Sequence, residues 1–247
     1  MSTKSINKST GRLNLDKNYW NAKRLELKNS YNINDCWRDV ITRFESRIKN
    51  FYFNPIAKVK EPKDLNGEGF TILTIQCALI EMFAAFKYGR IHNYKKRGNK
   101  PKYLYRFADE CFEPFLHSEP IFENHFHKFE SGLRIDDQPY SAKTFYNEVR
   151  CGLMHEARTK GQWIVKAKRN YKGDETIFIT PDTTENTIIV DRTILQIQLE
   201  KYFSSYLNML LQDTDEGCQA RRLFARKLDH LYDLTPDPIN FDWWEDR

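Results

Sequence analysis

Several features that mark other protein classes are missing from this chain of 247 residues. Hydrophobic residues make up 40% of it, slightly below the globular average of about 45–50%. The longest apolar run, Phe70 to Phe86, is interrupted by threonine, glutamine and glutamate, whereas a membrane-spanning helix needs about 18 nearly uncharged residues. We therefore expect no membrane span. Because the first residues also lack an apolar segment before a small-residue cleavage site, we predict a cytoplasmic protein.

Cysteine pairs and phosphate-binding glycine motifs are also missing. The five cysteines are odd in number and contain no C-x-x-C pair, so the sequence predicts reduced thiols rather than a disulfide framework or a cysteine-based zinc site. No G-x-x-x-x-G-K-[ST], G-x-G-x-x-G or G-x-S-x-G motif occurs. Nucleoside triphosphate hydrolysis, dinucleotide oxidoreduction and α/β-hydrolase chemistry therefore have no support, and no cofactor is predicted.

The net charge of +5 is unevenly distributed along the chain. Residues 1–34 carry that whole excess, residues 87–106 contain eight basic and no acidic residues, and residues 143–172 contain eight basic and two acidic ones. Residues 109–137 and the chain after Leu228 are acidic. Three basic blocks suit a polyanionic partner such as RNA, and a solvated, charge-striped surface is the plainer alternative.

Hydrophobic periodicity predicts a mainly α protein, an antiparallel helical bundle with one small β insertion. After a basic N-terminal arm (1–34) with one short helix, Asp35 is the predicted N-cap of a helix that ends before Asn54-Pro55. The run from Phe70 to Gly89 is apolar on several faces, as in a central helix. A further helix is predicted for 101–115, followed by short helices and loops.

The second half of the predicted domain, 35–233, contains the β insertion. Ser141 is the expected N-cap of a helix that runs to Lys160 and stops at Gly161. Short β-branched runs then predict a hairpin or three-stranded sheet near 162–190. Asp191 is the predicted cap of a long helix, a last helix covers 216–232, and an acidic aromatic tail (234–247) follows. Its two tryptophans are expected to dock on the protein's own body.

The sharpest motif lies on the helix that begins at Ser141. There Arg150 is followed by His155 in an R-x4-H spacing within the sequence Arg-Cys-Gly-Leu-Met-His. Its flanks are a long central helix before it, containing Ile80-Glu81, and a β insertion and another amphipathic helix after it. In this context residues 35–212 resemble the HEPN superfamily, whose helical bundle domains carry an R-x4-6-H motif.

The resemblance implies a metal-independent endoribonuclease that works as a homodimer, with the motifs of two protomers lining one cleft. It further implies a toxin or phage-defence effector, for which an antitoxin or regulatory protein would be a partner. Cys151 stands where many active members have Asn, Asp or His. The alternative is therefore a catalytically inactive HEPN module that binds RNA, a nucleotide or a protein, and a third possibility is a structural adaptor.

The chemistry of the two residues fits RNA cleavage. A base must take the proton of the 2′-hydroxyl, which suits His155, and a fixed cation must stabilise charge on the phosphoryl oxygens, which suits Arg150. Five residues at about 100° each place the two side chains about 140° apart on an ideal helix, so a working site requires two protomers. The small pair Cys151 and Gly152 would allow close helix approach across the dimer, and intrachain packing is the commoner reason for such a pair.

Other residues are weaker candidates for the site. Alternatively, His155 is a buried, hydrogen-bonded histidine and Arg150 a surface residue paired with Glu148 or Glu156. The residues named as substrate-binding candidates are Asn147, Glu148, Arg158, Lys95, Lys96 and Arg97. No metal is predicted, because the stretch that holds His117, His125 and His127 with Glu119, Glu123 and Glu130 is irregular and favours a solvated acidic loop.

Overall fold

The computed structural model describes residues 14–60, 67–95, 101–127, 129–130, 133–136, 138–168 and 175–245. It shows a mainly α-helical protein, as predicted. The α-helices of the described chain are α1 (Lys17–Leu27), α2 (Asp35–Ile48), α3 (Asn54–Lys60), α4 (Glu68–Lys87), α5 (Asp109–Ser118), α6 (Ala142–Thr144), α7 (Cys151–Glu156), α8 (Arg192–Leu211) and α9 (Asp215–Leu231). Two π-helical segments, Lys49–Phe53 and Phe145–Arg150, follow α2 and α6 directly.

Helix α4 lies at the centre of the core, as its apolar sequence predicts. It packs against α5, α8 and α9, and its Phe86 lies between Phe44 and Phe224, with ring centroids 4.6 and 5.5 Å away. By length and composition α4 is the one helix of the described residues that could cross a membrane. Because just over half of its most apolar stretch is buried inside the protein, this composition is that of a core helix.

Both ends of the described chain are tied to α9 through one buried carboxylate. Asp229 accepts the indole N–H of Trp20 at 2.8 Å and those of Trp243 and Trp244 at 2.9 Å, and Arg24 lies 3.3 Å from it. Burial raises the pKa of Asp229, and these donors offset the cost of desolvating the carboxylate. The tail tryptophans thus dock on the protein's own body. The described part of the predicted N-terminal arm shares the same core.

Within the described ranges, seven short strands form three small sheets, and β5, β6 and β7 make the predicted insertion. The strands are β1 (Ile91–His92), β2 (Leu104–Tyr105), β3 (Phe129–Glu130), β4 (Leu133–Arg134), β5 (Trp163–Lys166), β6 (Ile179–Asp182) and β7 (Thr187–Asp191). In the three-stranded sheet β7 is central, parallel to β5 and antiparallel to β6. Pro181 lies within β6, where it is tolerated because an edge strand can lack one N–H donor.

Several predicted helix boundaries are corrected by the structure. Asn34 rather than Asp35 caps α2, accepting the N–H of Trp37 at 2.9 Å. Asn54-Pro55 begins α3 instead of ending a helix, because proline is tolerated in a first helical turn. The helix predicted over 101–115 is displaced to α5, and β2 occupies part of that range. Asp191 does cap α8, as predicted.

Candidate functional site

The motif residues lie on a helical segment that changes type at Arg150. Ser141 caps its first turn as predicted, accepting the N–H of Thr144 at 3.3 Å. The chain is π-helical over Phe145–Arg150 and α-helical over Cys151–Glu156. Such π-helical turns are rare and are often found at functional sites. Arg150 is therefore the last residue of a widened turn, while His155 lies on the α-helix that follows.

The motif helix ends at Glu156, four residues earlier than predicted. Ala157 has a left-handed backbone (φ 54°), and its N–H donates to the carbonyl of Gly152. The chain then folds back along the helix, so closely that a Cβ on Gly152 would lie 2.5 Å from the carbonyl oxygen of Arg158. This intrachain contact requires a glycine. Intrachain packing, rather than helix approach across a dimer, is thus sufficient to explain the small residue.

Arg150 is held in place by the central helix. Its Nη2 donates to Oε2 of Glu81 on α4 at 2.8 Å, and its guanidinium lies 5.4 Å from the ring centroid of Tyr146. Burial opposes the charge, but the hydrogen bond and the negative charge of Glu81 raise the pKa of Arg150. Neither Glu148 nor Glu156 is its partner, so the expected surface pairing is wrong. The guanidinium is a fixed, permanently charged group.

His155 has a different environment from Arg150. The side chain is exposed to solvent, and among the described residues it has no hydrogen-bond or ion-pair partner. The alternative of a histidine satisfied inside the helical core is therefore wrong. The neighbouring Met154 is also 49% exposed, and the α-helical course from Arg150 to His155 keeps their side chains about 140° apart. Within one chain the two residues do not share a site.

Arg150 lines a cleft of about 330 Å³, which we call the Arg150 cleft. Its walls come from α2, α4, α9, β2 and the motif helix. The polar and charged side chains that line it are Arg47, Tyr52, Glu81, Tyr105, Arg150 and Lys227. The remaining walls are mostly apolar, which is the composition of a small-ligand pocket with a few oriented polar groups.

Lys227 on α9 is the residue of the Arg150 cleft that sequence reasoning missed. It is only 9% exposed, and burial lowers its pKa to about 8. Its one hydrogen bond among the described residues is to Nδ1 of His230 at 3.4 Å. Four basic residues in the eight positions from 220 to 227 are typical of a solvated helix face, so no local sequence signal marks this lysine as buried.

The predicted substrate-binding residues do not gather at the cleft. Asn147 is exposed on the motif helix, and the Glu148 carboxylate packs against Gly161, where an added Cβ would lie 2.7 Å from Oε2. Arg158 lies 3.7 Å from the carboxylate of Glu156. Lys95 is exposed, with its ammonium 5.5 Å from the ring of the adjacent Tyr94. Lys96 and Arg97 lie outside the described residues.

The basic blocks are partly neutralised by local pairing. Lys87 pairs with the buried Glu119 of the acidic stretch, and Lys160 lies 2.5 Å from Glu156. Further pairs join Lys166 with Asp182 and Lys168 with Glu175. The last three pairs lie at the surface and contribute little to stability, about 0–1 kcal/mol each. All four pairs reduce the positive charge that the basic blocks can present to a polyanion. The Arg150 cleft is therefore the stronger candidate for binding an anion.

The histidine-rich acidic stretch has a structural role where it is described. His125 is buried with its ring centroid 3.9 Å from that of Phe178, and burial lowers its pKa to about 4. A neutral imidazole inside an aromatic cluster is the form that this environment favours. Among the residues that the structure describes, no three His, Cys, Asp or Glu side chains are grouped to hold a metal ion.

Comparison with protein-family models, with curated proteins and with solved structures finds no match to this chain. The Arg150 cleft and the exposed His155 are therefore the features of the molecule that point to a function.

Proposed function

We propose that this protein is a HEPN-type endoribonuclease that cleaves RNA without a metal, and that two copies of the chain form the active site. The observation that carries the proposal is the Arg150–Glu81 ion pair, which joins the motif helix to the central helix at 2.8 Å. An arginine held by one carboxylate keeps further N–H groups free to grip a phosphate. Arg150 is thus prepared to stabilise negative charge on phosphoryl oxygens.

His155 is the proposed general base. An exposed imidazole can take the proton of an RNA 2′-hydroxyl, and the resulting oxyanion attacks the adjacent phosphorus. The bond from phosphorus to the 5′-oxygen breaks, and the departing oxygen takes a proton from solvent. The upstream product then ends in a 2′,3′-cyclic phosphate and the downstream product in a 5′-hydroxyl. Because DNA lacks the attacking hydroxyl, it should not be cut.

The dimer follows from the divergence of the two residues. If Arg150 of one protomer acts with His155 of the other, the motif helices must lie near a two-fold axis, as in an antiparallel pairing of helical bundles. The exposed Met154 between them would then be covered. A role as a toxin or phage-defence effector in the cytoplasm, with an antitoxin or regulator as partner, is part of the same proposal and rests on the family resemblance.

Mixing two inactive variants tests this arrangement. Arg150→Ala and His155→Ala should each abolish cleavage, but heterodimers formed by unfolding and refolding them together contain one intact Arg–His pair. Half of the dimers would be mixed and each would hold one working site of two, so about a quarter of wild-type activity should return. His92→Ala, which changes another exposed histidine, is the control and should retain activity. Absence of any recovery in mixed dimers would contradict the shared site.

A second candidate is a catalytically inactive module that binds RNA, a nucleotide or a protein. The observation that favours it is the position of Arg150, which lines an apolar cleft from which His155 is absent. Under this hypothesis RNA stays intact with the wild type and with both variants, while the cleft still binds its ligand.

A further inference from the structure

Lys227 is a buried cation without an anionic partner in the described chain. Lysine is almost never this deeply buried unless it is paired, since desolvating its charge is costly. Among the described residues its one hydrogen bond is to Nδ1 of His230 at 3.4 Å, and that contact does not neutralise an ammonium. The one carboxylate among the residues that line the cleft, Glu81, is already engaged by Arg150.

The Arg150 cleft as a whole carries an excess of positive charge. Arg47, Arg150 and Lys227 line it, against the single carboxylate of Glu81. Among the described residues, Glu81 accepts from Nη2 of Arg150, and the one hydrogen bond of Nη1 is to the sulfur of Cys151 at 4.0 Å. Low-dielectric walls strengthen the field of such a group of cations, so an anion that enters the cleft is attracted more strongly than at an exposed surface.

The walls of the cleft indicate what else the anion carries. Aromatic and aliphatic side chains such as Phe44, Tyr52 and Met82 surround the charged groups. The volume of about 330 Å³ is at the lower end of the range of small-ligand pockets, about 300–1,000 Å³. A bare inorganic ion would leave most of this apolar surface uncovered. A phosphate attached to a sugar and a base would cover it.

We propose that the Arg150 cleft binds the phosphate of a nucleotide, and that Lys227 and Arg150 together hold it. The choice of a nucleotide rests on the proposed function, with which this site shares Arg150. The phosphate comes either from a free nucleotide or from one unit of an RNA strand, and the chemistry of recognition is the same. Lys227 binds the phosphate and takes no part in proton transfer, which belongs to His155.

Binding to probes that cannot be cut tests the site independently of cleavage. Adenosine 5′-monophosphate, adenosine and a short DNA oligonucleotide are titrated into wild-type protein, into Lys227→Met and into the control Lys58→Met by calorimetry. Lys58 is an exposed lysine of α3, so the control makes the same charge change away from the cleft. Losing one charge-assisted contact should weaken binding of the monophosphate about 10-fold or more in Lys227→Met. Lys58→Met should stay within about twofold.

Adenosine and the DNA oligonucleotide show whether the phosphate is the group that is bound and whether it belongs to a free nucleotide or to a strand. Adenosine lacks the phosphate, so its weaker binding should be the same in all three proteins. A DNA oligonucleotide that loses affinity with Lys227→Met points to a phosphate within a strand, and a loss confined to the monophosphate points to a free nucleotide. Lys227→Gln, which keeps a polar side chain, should show the same loss, so the conclusion does not depend on how one variant folds.

Two results would overturn the inference. One is equal affinity of the wild type and both Lys227 variants for the monophosphate, and the other is no binding of any phosphate probe to the wild type. A protein that binds the monophosphate through Lys227 but never cuts RNA would leave the inference standing and reject the proposed nuclease. A protein that cuts RNA but binds the monophosphate equally well with and without Lys227 would support the proposed nuclease and reject the inference.

Discussion

Replacing Lys227 by methionine should make the protein more stable, which is unusual for a change in a core position. Burial lowers the pKa of this lysine from 10.5 to about 8. At about 1.4 kcal/mol per pH unit, that difference corresponds to about 3 kcal/mol of destabilisation of the folded state. Methionine has a stem of similar length and no charge to desolvate, so the free energy of unfolding should rise by up to about 3 kcal/mol at neutral pH.

The increase in the free energy of unfolding caused by Lys227→Met should decline as pH rises. Below pH 8 the lysine is charged in both states and the folded protein bears the full cost. Between pH 8 and 10.5 the unfolded chain holds the proton while the folded protein releases it, so the cost declines as pH rises. The stability difference between Lys227→Met and wild type should therefore be largest near pH 7 and approach zero towards pH 10.5.

Two buried cysteines also affect stability in this pH range. The effect of Lys227 is therefore measured as the difference between wild type and Lys227→Met. Burial raises the pKa of Cys77 and Cys111 to about 12 from 9.0. Because their folded pKa is the higher one, both proteins lose stability as pH rises above 9. The difference between wild type and variant removes the change that comes from Cys77. The charge of Lys227 also lowers the pKa of Cys111, so that interaction is part of the measured difference.

Urea unfolding under reducing conditions, between about pH 7 and pH 10, measures the effect. Lys58→Met should stay within about 0.5 kcal/mol of the wild type throughout. Adenosine monophosphate at about 100 times its Kd should stabilise the wild type by about 2.7 kcal/mol and Lys227→Met far less. A variant less stable than wild type at pH 7, or a difference that does not change with pH, would refute the account of Lys227 as an uncompensated buried cation.

Three further variants test the structural supports of the site. Glu81→Gln removes the partner of the half-buried Arg150 and should cost about 1–3 kcal/mol in urea unfolding, together with most RNA cleavage; full activity would count against the anchoring role. Gly152→Ala places a methyl group 2.5 Å from a backbone carbonyl and should cost about 1–3 kcal/mol, whereas unchanged stability would mean that the close approach is absent. Asp229→Ala leaves three buried indole N–H groups unpaired and should cost about 3 kcal/mol or more, with a change in near-ultraviolet circular dichroism from the released tryptophans. An unchanged spectrum would contradict docking of the tail through this carboxylate.

The sequence predicted those elements whose cause is local. The limits of α4 followed from apolar periodicity and from Gly89, whose positive φ of 56° suits a helix end. The helix start at Ser141 and the cap at Asp191 followed from side chains that bond their own backbone. The three-stranded insertion followed from β-branched runs. In each case neighbouring residues contain the whole signal.

Elements that depend on distant contacts could not be predicted. Glu81 and Arg150 meet across 69 positions, and only the fold brings them together. Lys227 reads as one of several basic residues on an amphipathic helix until the packing of α9 buries it. The π-helical turn that ends at Arg150 and the left-handed Ala157 have no composition signal either.

Analysis of RNA ends produced in EDTA tests the central claim most directly. Purified wild-type protein should cut RNA with the metal chelated, leave DNA intact and produce upstream fragments that end in 2′,3′-cyclic phosphate. His155→Ala should abolish the reaction, and Arg150→Lys, which keeps the charge but loses the planar fork, should reduce it about 10-fold or more. Fragments with 3′-hydroxyl ends that form only when Mg²⁺ is added would contradict the account, as would intact RNA with every form of the protein.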